Sequence, residues 1–262
     1  MIDIHCHILH GLDDGAKDLS EALEIARIAV DDGVQAIVAT PHMMPDGPMA
    51  NRREIVMERY AELLEALRRE QIPLEVHPGG EVHIGFNVPG ELAGGSLLTV
   101  ADGGVYALIE LPSGEIPTYS EQLIFECQLR GVTPIIAHPE RNARKAGDLE
   151  RLGEWIARGV LLQVNAQSLL GISGTEIERS ARELVARRFA HFVASDAHST
   201  VRRPPRLAAA RAVVERLAGS EHARILFEEN PRRAVAGEPV IAWEPLPPLR
   251  RGFFDRLLRR SG

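Results

Sequence analysis

The feature that most constrains this chain is its regular alternation of short apolar runs with amphipathic helical patterns. The pattern predicts strands at residues 1–4, 34–40, 72–76, 105–109, 133–137, 160–164 and 192–195. It predicts helices at residues 19–32, 55–70, 120–130, 149–158, 176–188 and 206–217. In the first helix Leu19, Leu23 and Ala26 fall on one stripe, and Gly33 ends the helix.

About seven β-α units of this kind favour a parallel sheet covered by helices on both faces, because the strands are continuously apolar. With so many units, a closed, TIM-like α/β barrel is favoured over an open sheet. The 262 residues fit one large domain better than two small ones. We therefore expect a barrel over residues 1–240, with its active site at the carboxyl ends of the strands, and a tail over residues 241–262.

Polar residues suited to metal binding stand where the predicted strands meet the following loops. In chain order these residues are His5, His7, His42, Glu81, Glu110, His138, Asp196 and His198. Asp13 and Asp14 lie in the loop after the first strand. A single histidine at a strand end is often structural. If eight such residues were buried at one barrel mouth without a cation, the carboxylates would repel one another and the polar groups would lack partners.

The residue types indicate which ions such a site would bind. Imidazole and carboxylate ligands without thiolate suit zinc, manganese or iron. The spacing of His5 and His7 puts both imidazoles on one face of a strand, so Cys6 between them should point the other way as a packing residue. The other cysteine, Cys127, forms no C-x-x-C pair with it.

Several other chemistries are excluded by the motifs that the sequence lacks. It has no G-x-x-x-x-G-K-[ST] phosphate loop and no G-x-S-x-G nucleophile elbow. Neither cysteine is followed by arginine six positions later, which excludes a cysteine-dependent tyrosine phosphatase. A net charge of −7 argues against nucleic acid as a partner. No signal peptide or membrane-spanning run is recognisable, so a cytoplasmic protein is expected.

The motifs resemble those of the polymerase-and-histidinol-phosphatase (PHP) superfamily. The matching segments are His5-x-His7, Thr40-Pro41-His42, Gly80-Glu81, Glu110, His138 and Ser195-Asp196-x-His198. Within that superfamily the chain resembles the bacterial capsule-type tyrosine phosphatases, from residue 1 to about residue 240. This closer resemblance is carried by residues 1–9, Asp13-Asp14-Gly15, residues 137–141, Gln163-Val164-Asn165, Arg203-Pro204-Pro205 and Asn230-Pro231-Arg232.

The resemblance implies a distorted (β/α)7 barrel with two or three metal ions, manganese being preferred over iron or zinc. A first ion would be held by His5, His7, Glu81 and Asp196. A second, bridged through Glu81, would be held by Glu110 and His138, and a third by His42, His198 and Asp14. The implied activity is removal of phosphate from tyrosines of the bacterial kinase that controls capsule or exopolysaccharide export.

Three residues are candidates for catalysis or phosphate binding. Arg141, three residues beyond His138, is the first candidate for a bidentate phosphate clamp, and Arg203 is the second. The alternative for either arginine is a surface ion pair. Asp14 is assigned to both the catalytic and the metal-binding set. His10 and His83 depart from the family pattern, and each either reaches the substrate pocket or is solvated.

Two other functions are still open at the level of the sequence. One is another phosphoesterase, either a small-molecule phosphatase acting on a substrate such as histidinol phosphate or a nuclease, although the weak basic character argues against a nuclease. The other is a non-catalytic regulatory module in which metals only stabilise the fold; the complete ligand set argues against it. The native metal, the cognate kinase and the oligomeric state are not determined by the sequence.

The tail has two parts of different character. Residues 241–249 contain three prolines and predict an extended linker. Residues 250–260 predict a short amphipathic helix, with apolar residues on one face surrounded by arginines. Such a segment either lies on an anionic membrane, docks on a partner, or packs against this barrel or a second subunit. Binding of this segment to an anionic membrane would place the protein at the inner face of the membrane.

Overall fold

The structure is a computed structural model that describes residues 1–44, 47, 49–143 and 147–247. Its strands are β1 (Ile2–Cys6), β2 (Ala36–Ala39), β3 (His42–Met43), β4 (Glu75–Pro78), β5 (Glu81–His83), β6 (Tyr106–Glu110), β7 (Thr133–Ala137), β8 (Leu161–Asn165) and β9 (Phe192–Ala194). Its α-helices are α1 (Leu19–Asp31), α2 (Arg53–Arg69), α3 (Val88–Ala93), α4 (Ser120–Leu129), α5 (Asp148–Ala157), α6 (Ala166–Leu169), α7 (Thr175–Ala186), α8 (Ala208–Ala218), α9 (Ser220–Arg224) and α10 (Asn230–Val235).

Two of the predicted strands are each followed by a second short strand that lies beyond the predicted bounds. The second predicted strand stops as β2 and resumes as β3 after Thr40-Pro41, since proline has no N–H for the ladder. The third stops as β4 and resumes as β5 after Gly79-Gly80. A Cβ atom on Gly79 would lie 2.7 Å from Cγ1 of Val38, so only glycine fits this close approach of neighbouring strands.

All strand pairs are parallel, and they follow one another in chain order. One sheet has the order β1-β2-β4, and the other has the order β3-β5-β6-β7-β8-β9. A bridge between Cys6 and Ala197 connects the two sheets beside β1 and β9. There the amide of His7 donates to Ala197 O at 2.8 Å. The predicted parallel α/β fold is confirmed, with seven β-α units whose strands lie in two sheets that meet at this bridge.

Two apolar clusters lie on the two sides of these strands. The smaller includes Ile4, Leu108 and Phe192, and the larger lies between strands and helices. Cys6 belongs to the larger cluster, as predicted for a packing residue. The pairing of β1 with β2 shifts register between Asp3 and Cys6, an irregularity of the kind that re-aims side chains next to active sites.

The chain after α8 adds structure that the sequence pattern did not predict. Helix α9, a π-helical turn (Ile225–Glu229) and α10 follow closely. Ala234 of α10 joins the smaller apolar cluster, and the hydroxyl of Tyr106 at the start of β6 donates to Glu238 O at 2.8 Å. These residues therefore cover the end of the barrel where the strands begin, opposite to the strand ends that carry the polar residues.

Residues 241–247, which belong to the predicted linker, have no regular secondary structure and are attached to the barrel by hydrogen bonds. The amide of Ile241 donates to Oδ1 of Asn230 at 2.7 Å. The amide of Leu246 donates to Arg187 O at 2.9 Å. The predicted helix over residues 250–260 lies outside the described residues. Among the helices that are described, none is long and apolar enough to cross a membrane.

Candidate metal centre

The strand-end residues converge on a buried point at the carboxyl ends of the strands. Nε2 of His5 and Nε2 of His7 lie 3.2 Å apart. Oε2 of Glu81 lies 3.3 Å from each of these nitrogens. Oδ1 of Asp196, which follows the last strand β9, lies 3.4 Å from Nε2 of His5. Four side chains from three strand ends therefore direct their ligand atoms to one place.

Glu81 also faces a second set of ligand atoms. Its Oε1 lies 2.8 Å from Nε2 of His138, and Oε1 of Glu110 lies 3.8 Å from the same nitrogen. Nδ1 of His42 lies 3.1 Å from Oε2 of Glu81 and 3.7 Å from Oε2 of Glu110. The carboxylate of Glu81 thus stands between two groups of potential ligands.

A third set of ligand atoms lies closer to the solvent. Oδ1 of Asp14 is 3.2 Å from Nε2 of His198 and 3.6 Å from Nε2 of His42. The rings of His198 and His7 have centroids 3.7 Å apart and are tilted by 31° to each other. The Asp14 side chain is 55% exposed, whereas its histidine neighbours are buried. Asp14 therefore marks the opening of the cluster.

Three groups of these residues have ligand atoms that all lie within 4.8 Å of one another, so that each group could hold a metal ion. They are His5, His7 and Glu81; His42, Glu81 and Glu110; and His7, Asp14, His42 and His198. These groups overlap the three sets implied by the family resemblance. They differ in that His7 and His42 each belong to two groups, whereas each belongs to one implied set. The assignment of individual ligands to individual ions therefore stays a prediction.

The donor atoms of this cluster fit a cation better than they fit one another. Oε2 of Glu81 has three imidazole nitrogens within 3.3 Å, yet among the described residues it has no hydrogen-bond partner. The buried Nδ1 of His42 likewise has none. Lone pairs that point to a common centre rather than along mutual hydrogen bonds are the arrangement of metal ligands. The residues present therefore fit a metal centre.

Burial and charge act in opposite directions on the carboxylates. Burial disfavours the charged form of Glu81, but the field of His5 and the hydrogen bond from His138 hold the pKa of this carboxyl well below its usual range. Asp196 is also buried, and the same balance, with His5, His138 and Arg203 opposing burial, lowers the pKa of its carboxyl. Both groups are therefore anionic and suited to bind a cation.

Residues behind the cluster orient the histidines. Oδ2 of Asp13 accepts hydrogen bonds from Nδ1 of His7 and from the backbone amide of His42, each at 2.8 Å. Oε1 of Gln163 lies 2.9 Å from Nδ1 of His5, leaving Nε2 of that ring free to face Glu81. Such partners fix the ring orientation and the tautomer of metal-binding histidines. The sequence alone predicts no role for either residue, although the motifs Asp13-Asp14-Gly15 and Gln163-Val164-Asn165 contain them.

Two strand-end residues of the cluster adopt left-handed backbone conformations that are uncommon for residues other than glycine. His138 has a φ of 34° and Asp196 has a φ of 52°. His138 directly follows β7, and Asp196 lies two residues after the end of β9. Both residues direct their side chains into the cluster. Strained conformations of this kind are maintained where the surrounding contacts require them, most often at functional sites.

Both candidate arginines contact the same carboxylate oxygen. Nη2 of Arg141 lies 2.7 Å and Nη2 of Arg203 lies 2.5 Å from Oδ2 of Asp196. Nδ2 of Asn165 donates to the same oxygen at 2.6 Å. The two arginine side chains are 32% and 29% exposed, so they stand at the edge of the cluster rather than on the open surface. Their predicted role in phosphate binding stays a prediction.

The two histidines with open assignments have different surroundings. Nε2 of His10 lies 3.3 Å from Oε2 of Glu62 on α2. Nδ1 of His83 lies 3.4 Å from Oε2 of Glu110, and the side chain is 35% exposed. His83 therefore borders the candidate centre and faces solvent at the same time.

The fold and the cluster define a class: a parallel α/β barrel whose strand ends bring together histidines and carboxylates that could hold metal ions. Residues 1–236 match the family model for capsular polysaccharide synthesis, CpsB/CapC. The chain belongs to this family, which confirms the predicted relationship.

Relatives in this family are named tyrosine-protein phosphatases. YwqE of Bacillus subtilis is 39% identical over 254 residues, covering 97% of this chain and 99% of the relative. CpsB of Streptococcus agalactiae is 30% identical over 235 residues, covering 88% and 96%. A crystal structure from work on YwqE and on CpsB from Streptococcus pneumoniae, described as unique metal-dependent tyrosine phosphatases, aligns with a TM-score of 0.89 at 39% identity. It covers 96% of this chain and 100% of that chain.

Proposed function

We propose that this chain is a metal-dependent protein-tyrosine phosphatase, acting on a bacterial tyrosine kinase of capsule or exopolysaccharide synthesis. The observation that carries the proposal is the convergence of His5, His7 and Glu81 on one point, with two arginines at the edge of the same cluster. The names of the relatives support it, because family members that cover nearly the whole chain are tyrosine-protein phosphatases. Metal dependence is likewise described for the solved structure in the family.

The proposed centre holds two or three ions, with manganese preferred and iron or zinc as alternatives. The residues that would hold them are His5, His7, Asp14, His42, Glu81, Glu110, His138, Asp196 and His198. Bound metal ions supply Lewis-acid chemistry, by which phosphate oxygens are polarised and water is activated as the nucleophile.

The two arginines would bind the substrate phosphate. Guanidinium groups bind phosphate oxygens through paired N–H donors, and Arg141 and Arg203 carry such donors at the edge of the cluster. Asp196 contacts both groups through one carboxylate oxygen. An incoming phosphate would accept hydrogen bonds from some of the N–H groups that now donate to Asp196. The two positive charges would offset the negative charge that develops during phosphoryl transfer.

Asp14 would act at the opening of the site. It is the most exposed of the proposed ligands, and it contacts His198 and His42 through one carboxylate oxygen. The leaving group needs little protonation because the phenol of tyrosine has an ordinary pKa near 10. We therefore assign the side chains of this chain mainly to binding, orientation and charge neutralisation rather than to strong acid catalysis.

The remaining proposals concern location and partners. The partner is the phosphotyrosine-bearing kinase itself, and nucleic acid is not a partner. We propose a cytoplasmic barrel, residues 1–240, that the tail over residues 241–262 holds near the inner face of the membrane. The described part of that tail leaves the barrel on the side where the strands begin, away from the cluster.

One comparison of substrates tests the proposed function. The purified protein, loaded with manganese, is assayed on a phosphotyrosine peptide, the matched phosphoserine peptide, histidinol phosphate and single-stranded DNA. We expect the highest kcat/KM on the phosphotyrosine peptide, loss of activity in chelator and recovery when manganese is returned. Equal or better turnover of histidinol phosphate would assign the protein to small-molecule phosphatases. Full activity with less than one bound metal per chain would contradict metal dependence.

A further inference from the structure

Two aromatic residues of the barrel are exposed and packed against each other. Phe189, Phe192 and Phe227 are buried, whereas Phe86 leaves 75% of its surface exposed, the largest fraction among the described phenylalanines. Its ring lies beside that of Tyr119, which is 36% exposed, with centroids 5.5 Å apart. Exposed aromatic groups of this kind are enriched where proteins bind other polypeptides.

This pair lies on the same side of the barrel as the candidate metal centre. Phe86 follows β5 and precedes α3, while Tyr119 follows β6 and precedes α4. In a parallel barrel the loops after the strands share one face. Phe86 is only three residues beyond His83, which contacts Glu110 of the cluster. Three residues span at most about 10 Å, so the aromatic pair borders the centre.

Other exposed apolar residues lie on loops at the same end of the barrel. Val201 is 82% exposed and stands two residues before Arg203, whose guanidinium contacts Asp196. Ile172, in the loop between α6 and α7, is 64% exposed. We call Phe86, Tyr119, Ile172 and Val201 the apolar rim. Because β7 and β8 separate β5 and β6 from β9 in the sheet, the apolar rim residues lie at two separate places along the strand ends.

We propose that the apolar rim binds the polypeptide that flanks the phosphotyrosine, through apolar side chains next to the modified residue. The proposal rests on the proposed function and adds to it the way in which a protein substrate is selected. A small phosphate ester ends within the cluster of ligands and arginines. A polypeptide continues outward on both sides of its phosphotyrosine, and only such a substrate extends to Phe86 and Tyr119 on one side and Val201 on the other.

The test compares a peptide with the isolated amino acid as substrates of the metal-loaded protein. Phe86→Ser should raise KM for a phosphotyrosine peptide with apolar flanking residues by roughly 10-fold, the value of one well-buried aromatic contact, with little change in kcat. The same variant should leave kcat/KM for free phosphotyrosine unchanged. Tyr119→Ser should act in the same direction, and Tyr119→Phe should behave like the unmodified protein because the ring is kept.

A matched control is available on α4. Phe125 is 55% exposed but lies in the middle of that helix, away from the loops at the strand ends. Phe125→Ser should therefore leave KM for the peptide unchanged. Circular dichroism and thermal unfolding of each variant would show that the fold is kept, as expected for exposed positions.

Each other outcome has a definite meaning. An unchanged peptide KM in Phe86→Ser, or an equal loss with free phosphotyrosine, would overturn the rim proposal while leaving the proposed function intact. A changed oligomeric state in light scattering, with peptide KM unchanged, would make the rim an interface between copies of this chain and would overturn it as well. An unmodified protein that is inactive on both phosphotyrosine substrates would overturn the proposed function and the rim together.

Discussion

The carboxylate of Asp13 accepts a hydrogen bond from Nδ1 of His7 at 2.8 Å, and this bond directs Nε2 of the same ring into the candidate metal centre. Burial alone would disfavour a charged His7 ring, but Asp13 and Glu81 outweigh burial and raise the pKa of His7 to about 10. In the metal-free protein the ring is therefore protonated at neutral pH. Metal binding has to displace this proton, and Asp13 keeps the ring oriented while it does so.

The first prediction follows from that hydrogen bond. Asp13→Asn should weaken metal binding by about 10- to 100-fold, because the amide orients His7 less firmly and carries no charge. Titration of the metal-free protein with manganese, followed by calorimetry, would measure the change. Asp31→Asn, an exposed carboxylate on α1, is the control and should bind metal like the unmodified protein. Equal affinities in both variants would show that Asp13 does not support the metal centre.

The second prediction concerns the arginine at the edge of the cluster. Arg141→Ala should lower kcat/KM for a phosphotyrosine peptide by roughly 10²-fold, equivalent to about 3 kcal/mol, with metal content unchanged. Steady-state kinetics and metal analysis of the same preparation would test this. Arg158→Ala, which removes an exposed arginine paired with Glu121, is the control. Near-normal rates in Arg141→Ala would make Arg141 a structural partner of Asp196.

The third prediction uses the shared contact of the two arginines. Because Arg141 and Arg203 both contact Oδ2 of Asp196, their effects should not be additive. The double variant Arg141→Ala/Arg203→Ala should lose clearly less transition-state stabilisation than the sum of the single variants. A complete double-mutant cycle of kcat/KM would measure the coupling. Strict additivity would mean that the two groups act on separate parts of the substrate.

The fourth prediction concerns stability at acid pH. Burial lowers the pKa of His191 to about 4, and its Nδ1 accepts a hydrogen bond from the amide of Leu162 at 3.2 Å. The unfolded chain protonates this histidine near pH 6.5, and the folded chain does so only near pH 4. The stabilisation is therefore complete above about pH 6.5 and is lost as the pH falls toward 4, by roughly 3 kcal/mol.

Denaturant unfolding across this pH range would measure the effect. In His191→Gln the fall in the free energy of unfolding between pH 6.5 and pH 4 should be smaller by about that amount. Comparing the variant with the unmodified protein cancels the contribution of the metal ligands. His77→Gln on β4, a partly exposed histidine, is the control. Parallel pH profiles for His191→Gln and the unmodified protein would contradict the assignment.

The fifth prediction separates the two parts of the tail. Removing residues 248–262 should leave peptide phosphatase activity and Tm unchanged but weaken binding to anionic vesicles. Removing residues 245–262 should also lower Tm by about 2–4 °C, since the hydrogen bonds of Leu246 with Arg187 are lost, a net loss of about 1 kcal/mol. Vesicle sedimentation and thermal unfolding would measure the two effects. Unchanged vesicle binding in the protein that lacks residues 248–262 would exclude membrane targeting by the tail.

The sequence by itself determined the order of strands and helices and the candidate ligands at the strand ends. These properties follow from local patterns, because strands buried on both faces must be apolar and a barrel presents the residues after each strand on one side. For example, the alternation of side chains along the first strand predicted that Cys6 packs in an apolar cluster while His5 and His7 lie together on the other face.

Only the tertiary structure decided how those residues meet. Arg141 and Arg203 contact the same oxygen of Asp196, Gln163 contacts His5 across 158 positions of the chain, and Asp13 orients His7. The helices after residue 218 and the register shift in β1 were likewise not predicted. Such features depend on which distant segments pair and how closely they approach, and hydrophobic periodicity, which reports the burial of single positions, contains no information about partners.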